Sequence, residues 1–349
     1  MFVRPEIAAM AGYVPGEQPK PGEAIKLNTN ENPYRASEKV YEAIEHQCRQ
    51  GLSQYPNPFG DVFREAAAKI YGVSPGMVLC GNGSDDILTI LTRTFVEQGK
   101  LLRLPCPSYI LYKSLAEIQG ADSEEIRFNP DWSLPESFSE GKTNLKLVIL
   151  PNPNSPSGTM ISRENILEIA EKLPCPLVVD EAYADFADFD CVDLIKKSEK
   201  IIVTRTLSKS YSLAGLRFGY LFAQPHLVAE MQKVKDSYNC DTLSIVAATA
   251  AILDQDWRME NRSKILATRK RLTDRMRHLG FVVPHSQSNF TWNVHPRGKH
   301  KPVYEFLKSQ GYLVRYMDYG DAGDGLRISV GTDSHTEKCL NLIEEYYDG

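Results

Sequence analysis

Thr206-Leu-Ser-Lys-Ser-Tyr-Ser-Leu-Ala-Gly-Leu-Arg-Phe-Gly-Tyr220 decides how the rest of this 349-residue chain is read. An apolar, β-branched run (Ile201, Ile202, Val203) leads into it, and a second apolar run, Phe218 to Phe222, leads out. Between them stand one lysine, Lys209, small hydroxyl residues close to it, and Arg217 eight positions on. A lysine amine forms a Schiff base with an aldehyde, and hydroxyls with a guanidinium hold a phosphate. An isolated Ser-Lys is by default part of a solvated loop. The spacing here and the remainder of the chain point elsewhere.

Working outward, the same strand-then-polar-cluster pattern recurs. Met77 to Cys80 precedes Gly81-Asn-Gly-Ser-Asp-Asp86, and Leu101 to Leu104 precedes Pro105-Cys-Pro-Ser-Tyr109. Leu145 to Leu150 precedes Pro151-Asn-Pro-Asn-Ser-Pro-Ser-Gly158, and Leu177 to Val179 precedes Asp180-Glu-Ala-Tyr183. Helical patterns lie between these runs, with Ser37 and Ser162 as N-caps and Gly72 as a stop. Short β-branched runs alternating with helices predict an α/β fold with a mainly parallel sheet covered on both faces. Ligands of open α/β sheets bind beyond the carboxyl ends of the strands, so all of these polar clusters converge on one crevice.

Residues 1–35, with five prolines and three glycines, read as an arm that drapes over a neighbour, a second subunit among the possibilities. Residues 36–255 read as the large domain. Residues 256–349 read as a small α+β domain joined by a long charged helix from about 257 to 279, with strands at 290–294, 312–315 and 326–330. The arm counts with the small domain.

Composition removes whole classes of function. Hydrophobic content of 42% and charged content of 24% are those of a globular protein, and a net charge of −5 offers no basic field for nucleic acid or an anionic membrane. No apolar run approaches roughly 18 residues, and the beginning of the chain lacks a signal-like apolar stretch. The seven cysteines are scattered without a C-x-x-C, which predicts reduced thiols and a cytoplasmic protein. The histidines lack metal spacing, so no metal is expected.

The remaining residues specify the chemistry. A carboxylate at the end of a fully apolar strand, Asp180, is costly unless a cation meets it, and a protonated pyridine nitrogen is such a cation. Taken alone, an Asp in this place is more often a helix N-cap. Tyr183 can donate to a phenolic oxygen, and Tyr109 can stack on a ring, although a core tyrosine is the default for either. The Gly83-Ser84-Asp85 turn offers free amides to a phosphate, joined by Thr206, Ser208 and Arg217. The turn lacks the third glycine of a dinucleotide fingerprint. An aldehyde that carries its own phosphate is pyridoxal 5′-phosphate.

The segment from Ser208 to Gly219 resembles the active-site lysine motif of the pyridoxal-phosphate-dependent fold-type I aminotransferases. Pro151 to Gly158 is similar to their Asn-Pro-Thr-Gly loop, and Asp180 to Tyr183 to their pyridinium-aspartate motif. Tyr13-Val-Pro-Gly-Glu-Gln-Pro19, Leu27-Asn-Thr-Asn-Glu-Asn-Pro-Tyr34, Gln54-Tyr-Pro-Asn-Pro58, Gly81-Asn-Gly-Ser-Asp85 and Leu326-Arg-Ile-Ser-Val-Gly331 resemble, within that superfamily, the histidinol-phosphate aminotransferase family. The resemblance implies a seven-stranded sheet in the large domain and a homodimer. It implies that Lys209 carries the cofactor and shuttles the proton, that Asp180 pairs with the ring nitrogen, that Tyr183 meets the phenolic oxygen and that Tyr109 stacks. It implies phosphate binding by Gly83, Ser84, Asp85, Thr206, Ser208 and Arg217, with Tyr55 from a partner subunit. Arg315, Arg327 and a partner's Tyr13 then bind the far end of the substrate. Ser155 stands where the family usually has asparagine, so the contact there is assigned to Asn154. The substrates implied are a phosphorylated amine and the 2-oxoglutarate/glutamate pair. An aromatic-amino-acid aminotransferase, a threonine-phosphate decarboxylase and a non-catalytic binding protein of the same fold are the rival readings.

Overall fold

The run Leu177-Val178-Val179 has no polar member because both faces of its strand are covered. Leu177 and Val179 enter one apolar cluster and Val178 another, and Ile201, Ile202 and Val203 divide in the same way. The computed structural model describes residues 2–12, 16–20 and 22–348. In chain order the strands are β1 (Ile25–Lys26), β2 (Val78–Gly81), β3 (Leu101–Cys106), β4 (Asp122–Arg127), β5 (Leu145–Pro151), β6 (Leu177–Asp180), β7 (Ile201–Thr206), β8 (Gly219–Phe222), β9 (Phe290–Asn293), β10 (Tyr312–Leu313), β11 (Arg315–Asp318) and β12 (Asp324–Ser329).

Seven of these form one sheet in the order β2-β8-β7-β6-β5-β3-β4. Neighbours from β7 through β4 are parallel, while β8 pairs antiparallel with both β7 and β2 and so runs against the rest. Helices cover both faces, which is why the strands read as unbroken apolar runs instead of alternating ones. The carboxyl ends lie level: Pro151 pairs with Asp180, and Asp180 with Thr204. Local signals behave as the sequence predicts. Ser37 and Ser162 accept from the Lys39 and Asn165 amides, and Gly72 closes its helix in the left-handed conformation at φ 63°.

A third apolar cluster, built from Ile265, Leu272, Val303, Leu326, Ile328 and Ile343 among others, belongs to the C-terminal elements. There β11, β12 and β9 form an antiparallel sheet, and β10 pairs parallel with β1. The helix Gln255–His278 ties the two parts together through arginines. Arg262 donates to the carbonyls of Asp185 (2.8 Å) and Ala187 (2.7 Å), and Arg269 donates to that of Ser288 (2.8 Å).

The structure differs from the sequence expectation at two elements. The segment Asp122–Arg127 is an edge strand. Its polar sequence hides it, because an edge strand with one solvated side does not need an apolar run. The single strand expected at 312–315 is two: β10 pairs with β1, the chain turns at the buried Val314, and β11 pairs with β12.

Candidate active site

The carboxyl ends of the parallel strands open on a cavity of about 600 Å³. Lys209, Asp180, Tyr183, Thr206, Ser208, Ser84, Asp85, Tyr109, Arg217, Arg315 and Arg327 all line it. Gly83 lies against Arg217: a Cβ there would sit 2.5 Å from the guanidinium. Gly219 plays the matching part on β8, where a Cβ would come within 2.5 Å of the Gly83 carbonyl carbon and the Ser84 nitrogen. These two glycines let β8 press against the start of the helix Gly83–Phe95, whose Ser84 and Asp85 line the cavity.

Asp180 is buried at the end of β6. Its carboxylate accepts from Tyr112 Oη (2.6 Å), Thr204 Oγ1 (3.0 Å) and the Ala182 amide (3.2 Å). Burial pushes its pKa up, and these donors pull it back. None of the three is a cation, so the charge stays uncompensated by its own ligands and suits a cationic group entering from the cavity. The Lys209 amine donates to the Thr29 carbonyl at 3.0 Å and lies 5.9 Å from the centre of the Tyr183 ring. Burial, helped by Arg327 and Arg217, pulls that amine down to about 8. A lysine in that range keeps a sizeable neutral, nucleophilic fraction near neutral pH.

Next to the Gly83–Asp85 turn, Thr206 Oγ1 donates to Ser208 Oγ (2.9 Å), and Arg217 reaches Asp85 at 3.2 Å. The Tyr109 hydroxyl also meets Asp85, at 3.4 Å, and its ring stands edge-on to Tyr112. On the opposite wall, β11 and β12 place Arg315 directly across from Arg327. Arg327 donates to Ser155 Oγ (2.9 Å) and to the Asn28 carbonyl (2.7 Å). An amine, a buried carboxylate without a cation, a helix start at the cavity and a guanidinium beside it fit pyridoxal 5′-phosphate group by group.

Two predicted residues lie elsewhere. Asn154 is buried behind the wall, where its amide donates to Ser157 Oγ (3.0 Å) and the Pro107 carbonyl (3.3 Å). It is Ser155 that faces the cavity. Tyr55 is 81% exposed, far from the cavity within one chain, and stacks on Tyr238 at 4.5 Å. Tyr13 lies outside the described residues. Sequence reasoning missed Tyr112, Thr204 and Asn30, whose side chain donates to the Tyr183 hydroxyl at 3.0 Å. Asn30 sits inside the quoted stretch Leu27–Tyr34 and carried a signal; Tyr112 and Thr204 carried none beyond an amphipathic helix and a strand.

The sequence model of the aminotransferase class I and II family matches residues 22–344. A histidinol-phosphate aminotransferase of Rhodopirellula baltica is 56% identical over 99% of this chain and 95% of its own length. One from Geotalea uraniireducens is 44% identical over 98% and 99% respectively. Among solved structures, histidinol-phosphate aminotransferase from Sinorhizobium meliloti in complex with pyridoxal 5′-phosphate superposes with a TM-score of 0.88 at 25% identity, over 99% of this chain and 98% of that one.

Proposed function

The chain belongs to the class I and II aminotransferase family, and from that premise we propose that it moves an amino group between histidinol phosphate and 2-oxoglutarate, yielding imidazole acetol phosphate and L-glutamate, a step of histidine biosynthesis. The observation that carries the substrate assignment is the β11–β12 register, which sets Arg315 opposite Arg327 on one wall of the Lys209 cavity. An amino acid needs one guanidinium for its α-carboxylate, whereas histidinol phosphate has no carboxylate and presents a dianionic phosphate monoester. Two guanidiniums bind such a group with charge-assisted hydrogen bonds.

When bound, pyridoxal 5′-phosphate supplies an electron sink for the carbon that carries the amino group. The chain's residues do the rest. Asp180, held in place by Tyr112 and Thr204, would keep the cofactor's ring nitrogen protonated. Thr206, Ser208, Arg217 and the Gly83–Asp85 turn would hold the cofactor phosphate, and Tyr109 would lie against its ring. Tyr183 would donate to its phenolic oxygen. Lys209 Nζ takes the proton from the substrate carbon and returns it. Ser155, which lines the cavity, would make the contact that the sequence assigns to Asn154.

We assign Tyr55 and Tyr13 to the neighbouring subunit's cavity in a homodimer. The exposed Tyr55–Tyr238 stack, with the exposed Leu52 beside Tyr55, supports this reading. The seven cysteines form no disulfide, and among the described residues no helix is long and apolar enough to cross a membrane. Both observations support a cytoplasmic enzyme, and we place the division between its large and small domains near residue 255, where the helix Gln255–His278 begins.

The test is a side-by-side comparison of initial rates with histidinol phosphate, phenylalanine and O-phosphothreonine. Histidinol phosphate should give the highest kcat/KM. Arg315→Ala should lower that value about 30-fold or more, as expected when one of several charges on a buried anion is removed, and affect phenylalanine much less. Preference for phenylalanine, or equal losses for both donors, would overturn the phosphate assignment.

A further inference from the structure

Asn30 holds a backbone conformation that few residues tolerate, at φ 56° in the left-handed region, while only 1% exposed. All of its polar groups are engaged. Its amide N–H donates to Ser329 Oγ (2.9 Å) and its carbonyl accepts from Asn289 Nδ2 (2.9 Å). Its side-chain Oδ1 accepts from Ser329 Oγ (2.9 Å), and Nδ2 donates to the Tyr183 hydroxyl (3.0 Å).

The directions of these bonds support one another. Ser329 Oγ receives the backbone N–H of Asn30, so its single hydrogen goes to Oδ1, and that leaves Nδ2 facing Tyr183. The Tyr183 oxygen is therefore an acceptor toward Asn30. Among the described residues its own hydrogen meets no acceptor, and the residue lines the cavity, which leaves that hydrogen available to a group in the cavity. Ser329 stands two residues after Arg327 on β12, which places both on the same face of that strand. One buried asparagine thus joins the strand that carries Arg327 to the hydroxyl beside Lys209.

We propose that Asn30 is a positioning residue for the reaction: its amide turns the Tyr183 hydroxyl hydrogen into the cavity, and its bonds to Ser329 make that orientation follow the strand that carries Arg327. The inference rests on the aminotransferase reading and deepens it. Its chemistry is specific to the amide. A carboxylate has no hydrogen to give and would capture the tyrosine hydrogen, turning it away from the cavity. Glycine would keep the left-handed backbone and delete the donor.

The experiment is a double-mutant cycle on the pyridoxal-phosphate-loaded protein, with Asn30→Asp and Asn30→Gly made in the wild-type and Tyr183→Phe backgrounds. The readouts are the pH midpoint of the bound cofactor's visible absorption, and kcat and KM measured separately. Asn30→Asp should move the midpoint upward by about one pH unit, because an oxyanion deprived of its donor holds a neighbouring proton more tightly. It should lower kcat about tenfold or more with KM changed less than about threefold. In the Tyr183→Phe background it should add no further shift. Asn30→Gly should move the midpoint in the same direction and reads the same cycle if Asn30→Asp does not fold. An unchanged midpoint, or an equal shift with and without the Tyr183 hydroxyl, would overturn the proposal. A wild-type protein with neither cofactor absorption nor transfer activity would overturn the aminotransferase reading itself, and this inference with it. A coloured, active wild type with unaffected variants overturns the Asn30 role alone.

Discussion

Lys209 is held where its charge is disfavoured, and that has a consequence for stability as well as for chemistry. Its amine titrates near 8 in the folded, cofactor-free protein against an ordinary 10.5. Below pH 8 the folded state carries a proton in a desolvated place, and folding bears the full penalty, up to about 3 kcal/mol. Between pH 8 and 10.5 the unfolded chain keeps the proton that the folded protein has released, so the penalty fades as the pH rises. Lys209→Met should therefore stabilise the cofactor-free protein at pH 7, and the gain should shrink toward pH 10.5 in urea titrations run across that window. A gain that is flat with pH would contradict the desolvated amine. Lys209, Asp180, Tyr183 and Arg217 were legible in the sequence because each stands at a fixed offset from a strand end. Tyr112 was not, because a tyrosine on an amphipathic helix reads as core until β6 brings Asp180 to its hydroxyl.

At the scale of elements, the close contact between β8 and the start of the helix Gly83–Phe95 shapes the end of the cavity that we assign to the cofactor phosphate. Gly219→Ala would drive a methyl into the Gly83 and Ser84 backbone, which has no rotamer to yield. The substitution should cost about 1–3 kcal/mol in urea denaturation and weaken cofactor binding in an absorbance titration. Unchanged affinity would show that the contact does not shape the phosphate site. The alternation of apolar runs and polar clusters disclosed the central sheet and the side on which its ligands bind. It did not disclose β4, whose polar residues are those of an edge strand. Nor did it separate β10 from β11, because Tyr312, Leu313 and Val314 are all buried and read as one run although the chain changes partners there.

For the whole molecule, Tyr55 and Tyr238 form an exposed aromatic stack beside an apolar surface, a combination that in a homodimer becomes an interface. Sequence reasoning reached Tyr55 only through a motif, since nothing within one chain brings it to the Lys209 cavity. Mixing Lys209→Ala protein with an inactive Tyr55→Ala protein, under conditions of subunit exchange, should restore part of the activity through hybrid dimers, each with one intact site. No recovery despite exchange would assign both residues to one subunit's site. The account as a whole depends on the Lys209 amine being the place where the cofactor attaches. Borohydride reduction of the purified, pyridoxal-phosphate-loaded protein, followed by peptide mapping by mass spectrometry, tests that most directly. One stable cofactor adduct is expected, on Lys209 and on no other lysine. An adduct on a different lysine, or none on a protein that still transfers amino groups, would contradict it.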